Sequence, residues 1–237
     1  MFRLLPLLGG VLLVAPAFAA DTPDMPKAVQ AIVDRTNEFR KEEKLPPMKP
    51  NKELTKAAEY FAKFMAETDK YGHEADGSKP ADRAKKHGYE YAIVLENIAW
   101  QMNAAGFTTD TLADGFVTGW KESPGHRKNM LDPDVTDTGM AVAYGEKSGK
   151  YYAVQLFGRP KSLSVKFQIG NRADVALEYT IGDDKYTLDP RVTQAHTRGR
   201  PGEVTFQEPK GLAPVKAANG DKLVVSGTKG SYKVKKE

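Results

Sequence analysis

Three polar residues of the sequence combine side chains that could hold a metal ion. Glu96 lies within the apolar run 93–100, where burial of a carboxylate is costly unless a cation or a metal ion pairs with it. His73 and His126 each fall in a predicted loop, the kind of segment in which functional groups concentrate. Two histidines and a glutamate form the ligand set of an open zinc site, in which water takes the remaining position.

The spacing of these residues leaves other interpretations open. Positions 73, 96 and 126 share no short motif such as H-E-x-x-H, so ordinary hydrogen-bonded polar residues are the alternative. Ser123, near His126, suggests a nucleophile, which needs a base within hydrogen-bond reach. A helix stop at Ser123-Pro124-Gly125 explains this serine more simply.

Helices and a hairpin must position these residues in the first part of the chain. Apolar spacing predicts a helix that starts after Pro26 and ends before Leu45, a second helix with Asn51 as its N-cap, and helices over 81–86 and 111–122. Residues 139–144 and 151–157 alternate in polarity and predict an antiparallel hairpin. This part is therefore expected to mix helices with a small sheet.

The pattern and the charge both change near Pro160. Residues 161–237 alternate in short segments, such as 163–169 and 175–181 with a predicted turn at Asn171-Arg172, which is typical of a small sandwich or barrel. The net charge is −2 over residues 21–160 and +5 over residues 161–237. We therefore predict a domain boundary at this point.

Composition and the N-terminus restrict the class of protein. The 237 residues include no cysteine, which excludes disulfides, cysteine-ligated metals and a thiol nucleophile. Residues 1–20 read as a signal peptide, with Arg3, a broken apolar run and small residues near a cleavage site at Ala19-Ala20. A secreted or periplasmic bacterial protein with no transmembrane segment after cleavage is predicted, because export without disulfides is less typical of small animal domains.

A series of sequence blocks in residues 27–158 resembles the bacterial branch of the CAP superfamily, also called SCP. The most specific blocks are Leu95-Glu96-Asn97-Ile98-Ala99 and Ser123-Pro124-Gly125-His126-Arg127, in the right order and separation. The resemblance implies an α-β-α sandwich around a three-stranded antiparallel sheet. With the strands that follow, the expected fold class is α+β, with domains at 1–20 (signal peptide), 21–160 (CAP) and 161–237 (β-rich).

The resemblance also implies a cleft with two histidines and two acidic residues, which binds zinc or another divalent ion in some members. His73, Glu96 and His126 match three of these positions. The fourth falls on Ser123, and Glu122 lies one position early, which turns a helical side chain by about 100°. A three-membered site is therefore predicted, with Glu122 and Ser123 as candidate catalytic residues.

Other residues are predicted to support this cleft or to lie apart from it. Asn37, Arg40 and Arg83 are expected to hold the cleft loops, and Gln155 lines the cleft or packs in the core. His87 and His196 match no family position and are interpreted as exposed or ordinary polar histidines.

Two classes of function follow from the resemblance, which does not choose between them. The first is an exported protein whose cleft binds a divalent metal or a small ligand without catalysis. The alternative is a metal-dependent hydrolase, protease-like or esterase-like, in the cell envelope. Small-molecule, lipid or cell-envelope ligands are the expected partners, and nucleic acid is not. The basic C-terminal part could dock on anionic polymers or head groups, although a solvated face is the simpler interpretation.

Overall fold

Helices alternate with strands up to Pro160, and strands dominate from there onward. The structure is a computed structural model that describes residues 22–237, so the predicted signal peptide lies outside the described residues. The helices are α1 (Met25–Glu42), α2 (Lys52–Thr68), α3 (Pro80–Lys86), α4 (Thr109–Glu122) and α5 (Pro124–Met130). The strands of this part are β1 (Lys49–Pro50), β2 (Tyr91–Gln101), β3 (Asp137–Gly145) and β4 (Lys150–Pro160). Within residues 22–237, no helix combines the length and the apolar character needed to cross a membrane.

Local capping explains where the two longest helices begin. The side chain of Asp24 accepts a hydrogen bond from the Lys27 amide, and Asn51 does the same for the Leu54 amide at 3.0 Å. Such caps satisfy amide groups that have no partner inside the helix and contribute about 1 kcal/mol each. The predicted N-cap at Asn51 is therefore confirmed.

The first sheet has the strand order β1-β3-β4-β2. Its three long strands are antiparallel, with Asn97 opposite Gln155, and they match the expected sheet. The two-residue strand β1 adds a parallel edge that the sequence did not predict. Helices α1, α4 and α5 contribute to the core on one face, and α2 and α3 to the core on the other.

Helix α5 corrects the prediction that His126 lies in a loop. Ser123 ends α4 as predicted, but it is also the N-cap of α5, and Pro124 follows at the first helical position. Proline suits this position because its missing N–H would have no intrahelical partner there. The Ser-Pro-Gly segment is therefore both a stop and a start, and it places His126 on a helix.

The C-terminal strands form two four-stranded sheets around a common core, as expected of a sandwich. A 3₁₀ turn (Lys161–Leu163) leads into β5 (Val165–Ala173), β6 (Leu177–Ile181), β7 (Asp184–Leu188), β8 (Thr193–Arg198), β9 (Gly202–Glu208), β10 (Val215–Ala217), β11 (Lys222–Gly227) and β12 (Lys233–Lys236). The strand orders are β10-β9-β6-β7 and β12-β11-β5-β8. The α+β fold class is thus confirmed.

The turn predicted at Asn171-Arg172 is wrong, because both residues lie within β5. The buried Asn171 amide donates to the carbonyls of Val175 and Leu188 at 2.8 and 2.9 Å, and its oxygen accepts from the Ala173 amide. These bonds hold the chain where it crosses to the other sheet. Asn171 therefore lies before the change of direction and not in it: the chain passes from β5 to β6, in the other sheet, a few positions later.

Candidate functional site

Arg83 is the cation that pairs with the buried carboxylate of Glu96. Arg83 Nη2 donates to Glu96 Oε2 at 2.7 Å, and Arg83 Nη1 donates to Asp76 Oδ1 at 3.0 Å. The three side chains are between 1% and 3% exposed, and the guanidinium lies 3.5 Å from the centre of the Phe61 ring. Glu96, on β2, is therefore held in a buried network whose cation, Arg83, comes from α3.

His73 is oriented by the same carboxylate. Its Nδ1 lies 2.8 Å from Glu96 Oε1, so a proton on Nδ1 is donated to the carboxylate. Arg83 Nη2 also donates to the His73 carbonyl at 2.9 Å, which ties the backbone of this loop to α3. The hydrogen bond to Glu96 is the main reason that the pKa of His73 is raised above its usual value. Because the imidazole is 51% exposed and Nδ1 is engaged, Nε2 is the atom left for a ligand.

His126 is held next to β2 through the backbone of α5. Asn97 Nδ2 donates to the His126 carbonyl at 3.1 Å, and Asn129 Nδ2 donates to the Glu96 carbonyl and to Asn97 Oδ1. Burial, and secondarily the nearby charge of His73, lowers the pKa of His126. Adjacent residues of β2 therefore hold the two histidines: Glu96 binds the His73 ring, and Asn97 binds the backbone of His126.

Asn97 and Asn129 help to position the candidate site, and the sequence analysis did not assign them this role. Asn97 stands in one of the sequence blocks that carry the family resemblance, and Asn129 lies two residues after the other. Their roles depend on a contact between β2 and α5 that joins residues 32 positions apart. Asn97 is fully buried. A buried amide next to two candidate ligands is the signal that could have identified it.

A groove of about 400 Å³ extends from His126 along the edge of the sheet. Its lining residues come from β2, α4 and the segments beside them: Tyr71, Ile98, Ala99, Trp100, Gln101, Gly115, Phe116, Gly119, Trp120, Ser123 and His126. Since β2 is an edge strand, one side of the groove is open. Tyr71 and Trp100 are about half exposed at its margin.

The two candidate catalytic residues differ in position. Ser123 lines the groove together with His126, whereas Glu122 is exposed to solvent and is not among the lining residues. Within the described chain, no hydrogen bond joins Ser123 Oγ to either cleft histidine. Ser123 and not Glu122 is therefore the residue that shares the groove with His126, and it lacks the contact that would activate a nucleophile.

The residues predicted to support the cleft divide into two groups. Arg83 contacts it directly, and Arg40 holds the end of α5 by donating to the carbonyls of Met130 and Asp132 at 2.7 and 2.9 Å. Asn37 instead pairs with the backbone of Met48, between α1 and β1. Gln155 is fully buried near Thr36 and Thr138, so it packs in the core and does not line the groove.

The two remaining histidines lie away from the cleft. His87 follows α3 and contacts the ring of Tyr60. His196 is 6% exposed in the C-terminal sandwich, where its Nε2 is 3.0 Å from the Tyr179 hydroxyl. His196 is thus a buried packing residue and not an exposed one.

The chemistry of these side chains limits how the cleft could hold a metal ion. Among residues 22–237, no group of three or more histidine, aspartate or glutamate side chains is arranged to hold a metal ion. Both oxygens of Glu96 are already engaged, by His73 and by Arg83. Histidines that bind metals usually donate their other ring N–H to a carboxylate, which fixes the tautomer. The structure thus does not assemble the predicted three-membered site of His73, Glu96 and His126: Glu96 orients His73, and the ring nitrogens left for a ligand are Nε2 of His73 and those of His126.

Known proteins resemble the part of this chain that contains the cleft. The sequence profile of the cysteine-rich secretory protein (CAP) family matches residues 33–157, more than half of the chain. Protein YkwD of Bacillus subtilis, described as uncharacterized, is 32% identical over 153 residues, which cover 61% of this chain and 55% of YkwD. The chain therefore spans about half the length of this relative.

Two solved structures resemble part of this chain. An outer surface protein from Borrelia burgdorferi superposes with a TM-score of 0.52 at 21% identity, covering 60% of this chain and 100% of its own. An extracellular SCP-domain protein from Bacillus anthracis has a TM-score of 0.46 at 28% identity, covering 57% and 41%. At this identity the first match concerns the fold alone.

Proposed function

Because the chain belongs to the cysteine-rich secretory protein (CAP) family, we propose that it is an exported bacterial CAP protein whose cleft binds a divalent metal ion such as zinc. His73 and His126 are the proposed ligands, and Glu96 is the residue that orients His73. The proposed role is binding without catalysis. The whole protein's ligand is proposed to be a small molecule, a lipid or a component of the cell envelope that enters the groove beside the metal.

The contact between His73 and Glu96 carries this proposal. A carboxylate that accepts from Nδ1 makes Nε2 the lone-pair nitrogen, which is the form of imidazole that binds metals. Arg83 in turn holds the carboxylate by its second oxygen, so the imidazole has a rigid support although half of its surface is exposed. An exposed imidazole with a buried anchor is suited to binding a ligand from solvent.

The bound ion would supply Lewis acidity and a site for an oxygen or nitrogen ligand. The residues that line the groove determine which ligands can reach the ion. Tyr71 and Trp100 provide apolar surface at the margin of the groove, and Ser123 places a hydroxyl beside His126. Amphipathic rings of this kind pack well against ligands that are partly apolar.

A metal-dependent hydrolase is the alternative, and the position of Ser123 in the same groove as His126 is the observation that favours it. Two features argue for binding instead. Glu122 is exposed and outside the groove, and among residues 22–237 Ser123 has no hydrogen bond to a base.

Zinc titration of the mature protein separates the two functions. We expect zinc to raise the melting temperature of the wild type, because an ion that binds only the folded state stabilises it. The His126→Ala variant should lose this shift, whereas the His87→Gln variant, altered outside the cleft, should keep it. Peptide or ester turnover that disappears in His126→Ala would support the hydrolase. A wild type with neither a zinc shift nor turnover would refute both.

Export is proposed from residues 1–20 alone. Mass spectrometry of the protein recovered from the cell envelope and medium should find an N-terminus near Ala20. An intact Met1 on the exported protein would contradict cleavage.

Docking of the C-terminal part on anionic envelope polymers is proposed from its net charge of +5. Retention of the full chain on isolated envelopes should then fall as salt rises. Salt-independent retention would contradict an electrostatic surface.

A further inference from the structure

The turn between β8 and β9 contacts the CAP part of the chain. Its residue Arg200 lies between two carboxylates, with Nη1 2.8 Å from Asp132 Oδ2 and 2.9 Å from Asp134 Oδ2. Asp132 is 9% exposed and Asp134 is 23% exposed, so this ion pair is partly withdrawn from water. Such a pair is worth more than a fully exposed one, because solvent and salt screen it less.

The two aspartates follow directly after the helix that carries His126. Helix α5 ends at Met130, and Arg40 Nη1 donates to the carbonyls of Met130 and Asp132. Arg159 Nη1 donates to the Asp134 carbonyl at 2.9 Å. Three arginines from three different elements therefore hold residues 130–134, and only Arg200 comes from the C-terminal sandwich.

The same turn also touches the strand that carries Glu96. A Cβ atom built on Gly199 would lie 2.7 Å from the Ala92 carbonyl oxygen, which is closer than real Cβ atoms approach backbone. Glycine is thus required by the close approach of the turn to β2, four residues before Glu96. A cavity of about 420 Å³ lies beside this contact, and its lining includes Ala92, Ile93 and residues 197–202.

We infer that the C-terminal sandwich positions the cleft, with Arg200 as the positioning residue. Gly199 contacts β2, the strand that carries Glu96. Arg200 contacts residues 132–134, which follow α5, the helix that carries His126. Loss of Arg200 leaves two neighbouring carboxylates without their shared cation, and their repulsion displaces residues 132–134. Helix α5 then loses part of the support that fixes His126.

The test compares the Arg200→Ala variant of the full chain with the wild type and with Arg172→Ala. Arg172 is a matched control because it pairs with Glu237 at 2.6 Å, wholly inside the C-terminal sandwich. Amide hydrogen exchange of residues 124–134 is the first measurement. Protection there should fall in Arg200→Ala and remain at the wild-type level in Arg172→Ala, and Arg200→Lys should restore part of it.

Zinc affinity is the second measurement, and this part rests on the proposed function. Loss of a residue that directly orients a metal ligand weakens metal affinity by about 10- to 100-fold. Because Arg200 acts one contact further away, Arg200→Ala should weaken zinc affinity by about three- to tenfold.

Unchanged protection of residues 124–134 in Arg200→Ala would overturn the inference. A wild type that binds no zinc would refute the proposed function instead, while the exchange measurement would still decide the inference. If Arg200→Ala does not fold, Arg200→Gln takes its place, because it removes the cation and keeps most of the side chain; lower protection of residues 124–134 is expected, and unchanged protection would refute the inference.

Discussion

Replacement of Arg83 by methionine tests the buried network directly. Arg83 donates four well-formed hydrogen bonds, to Asp76, to Glu96 and to the carbonyls of His73 and Ser78, at 2.7 to 3.0 Å. Methionine keeps much of the apolar stem over Phe61 and removes the cation. Two carboxylates that are 1% and 3% exposed then lie buried without their counter-ion.

The size of the effect follows from this burial. Removal of one partner from a buried ion pair costs about 3–5 kcal/mol of unfolding free energy, because the other charge is left uncompensated. For a chain of this size, that loss corresponds to a decrease of roughly 6–20 °C in melting temperature. The matched control is Arg35→Met, since Arg35 also bridges two carboxylates, Asp110 and Asp114, which are 80% and 62% exposed. Exposed pairs contribute about 0–1 kcal/mol each.

Urea unfolding followed by circular dichroism gives both values. The double variant Arg83→Met/Glu96→Gln should recover part of the loss, because a neutral amide is cheaper to bury than an unpaired carboxylate. Equal destabilisation by Arg83→Met and Arg35→Met would refute the assignment of Arg83 as the buried anchor of the cleft.

Three further predictions concern single residues. Glu96→Gln should lower the pKa of His73 measured by NMR titration, since the hydrogen bond to Glu96 is the main cause that raises it; an unchanged pKa would contradict this. Burial lowers the folded-state pKa of His196, so the unfolded chain binds more protons and stability should be full above about pH 6.5 and fall as the pH drops below that value. The part of this slope due to His196 should be absent in His196→Gln, and an identical slope in both proteins would refute it. Asn51→Ala should cost about 1 kcal/mol in urea unfolding by loss of the α2 cap, and a cost near zero would contradict the capping role.

Periodic elements of this fold were predictable because each leaves a repeating signal. Helices α1, α2 and α4 and the β3–β4 hairpin follow from apolar spacing, and the cap at Asn51 follows from residue type. Strand β1 and helix α5 did not follow. A two-residue strand has no period, and a seven-residue helix that starts at a proline looks like a loop.

The candidate site was predictable as a set of residues and not as a geometry. The apolar run around Glu96 required a cation, but nothing in the sequence identified Arg83 as its partner from among 35 lysines and arginines. The roles of Asn97 and Arg200 depend on contacts with residues 32 and 68 positions away. Tertiary packing fixes such contacts, and the spacing of apolar residues within a segment does not report them.

Nitrogen-15 NMR of the histidine side chains during zinc titration tests the proposed metal site most directly, because it reports each ring nitrogen separately. We expect zinc to shift Nε2 of His73 and one ring nitrogen of His126, while Nδ1 of His73 keeps its proton and its hydrogen bond to Glu96. The resonances of His87 and His196 should not move. Binding of zinc at Nδ1 of His73, or no change at either cleft histidine, would contradict the proposed site.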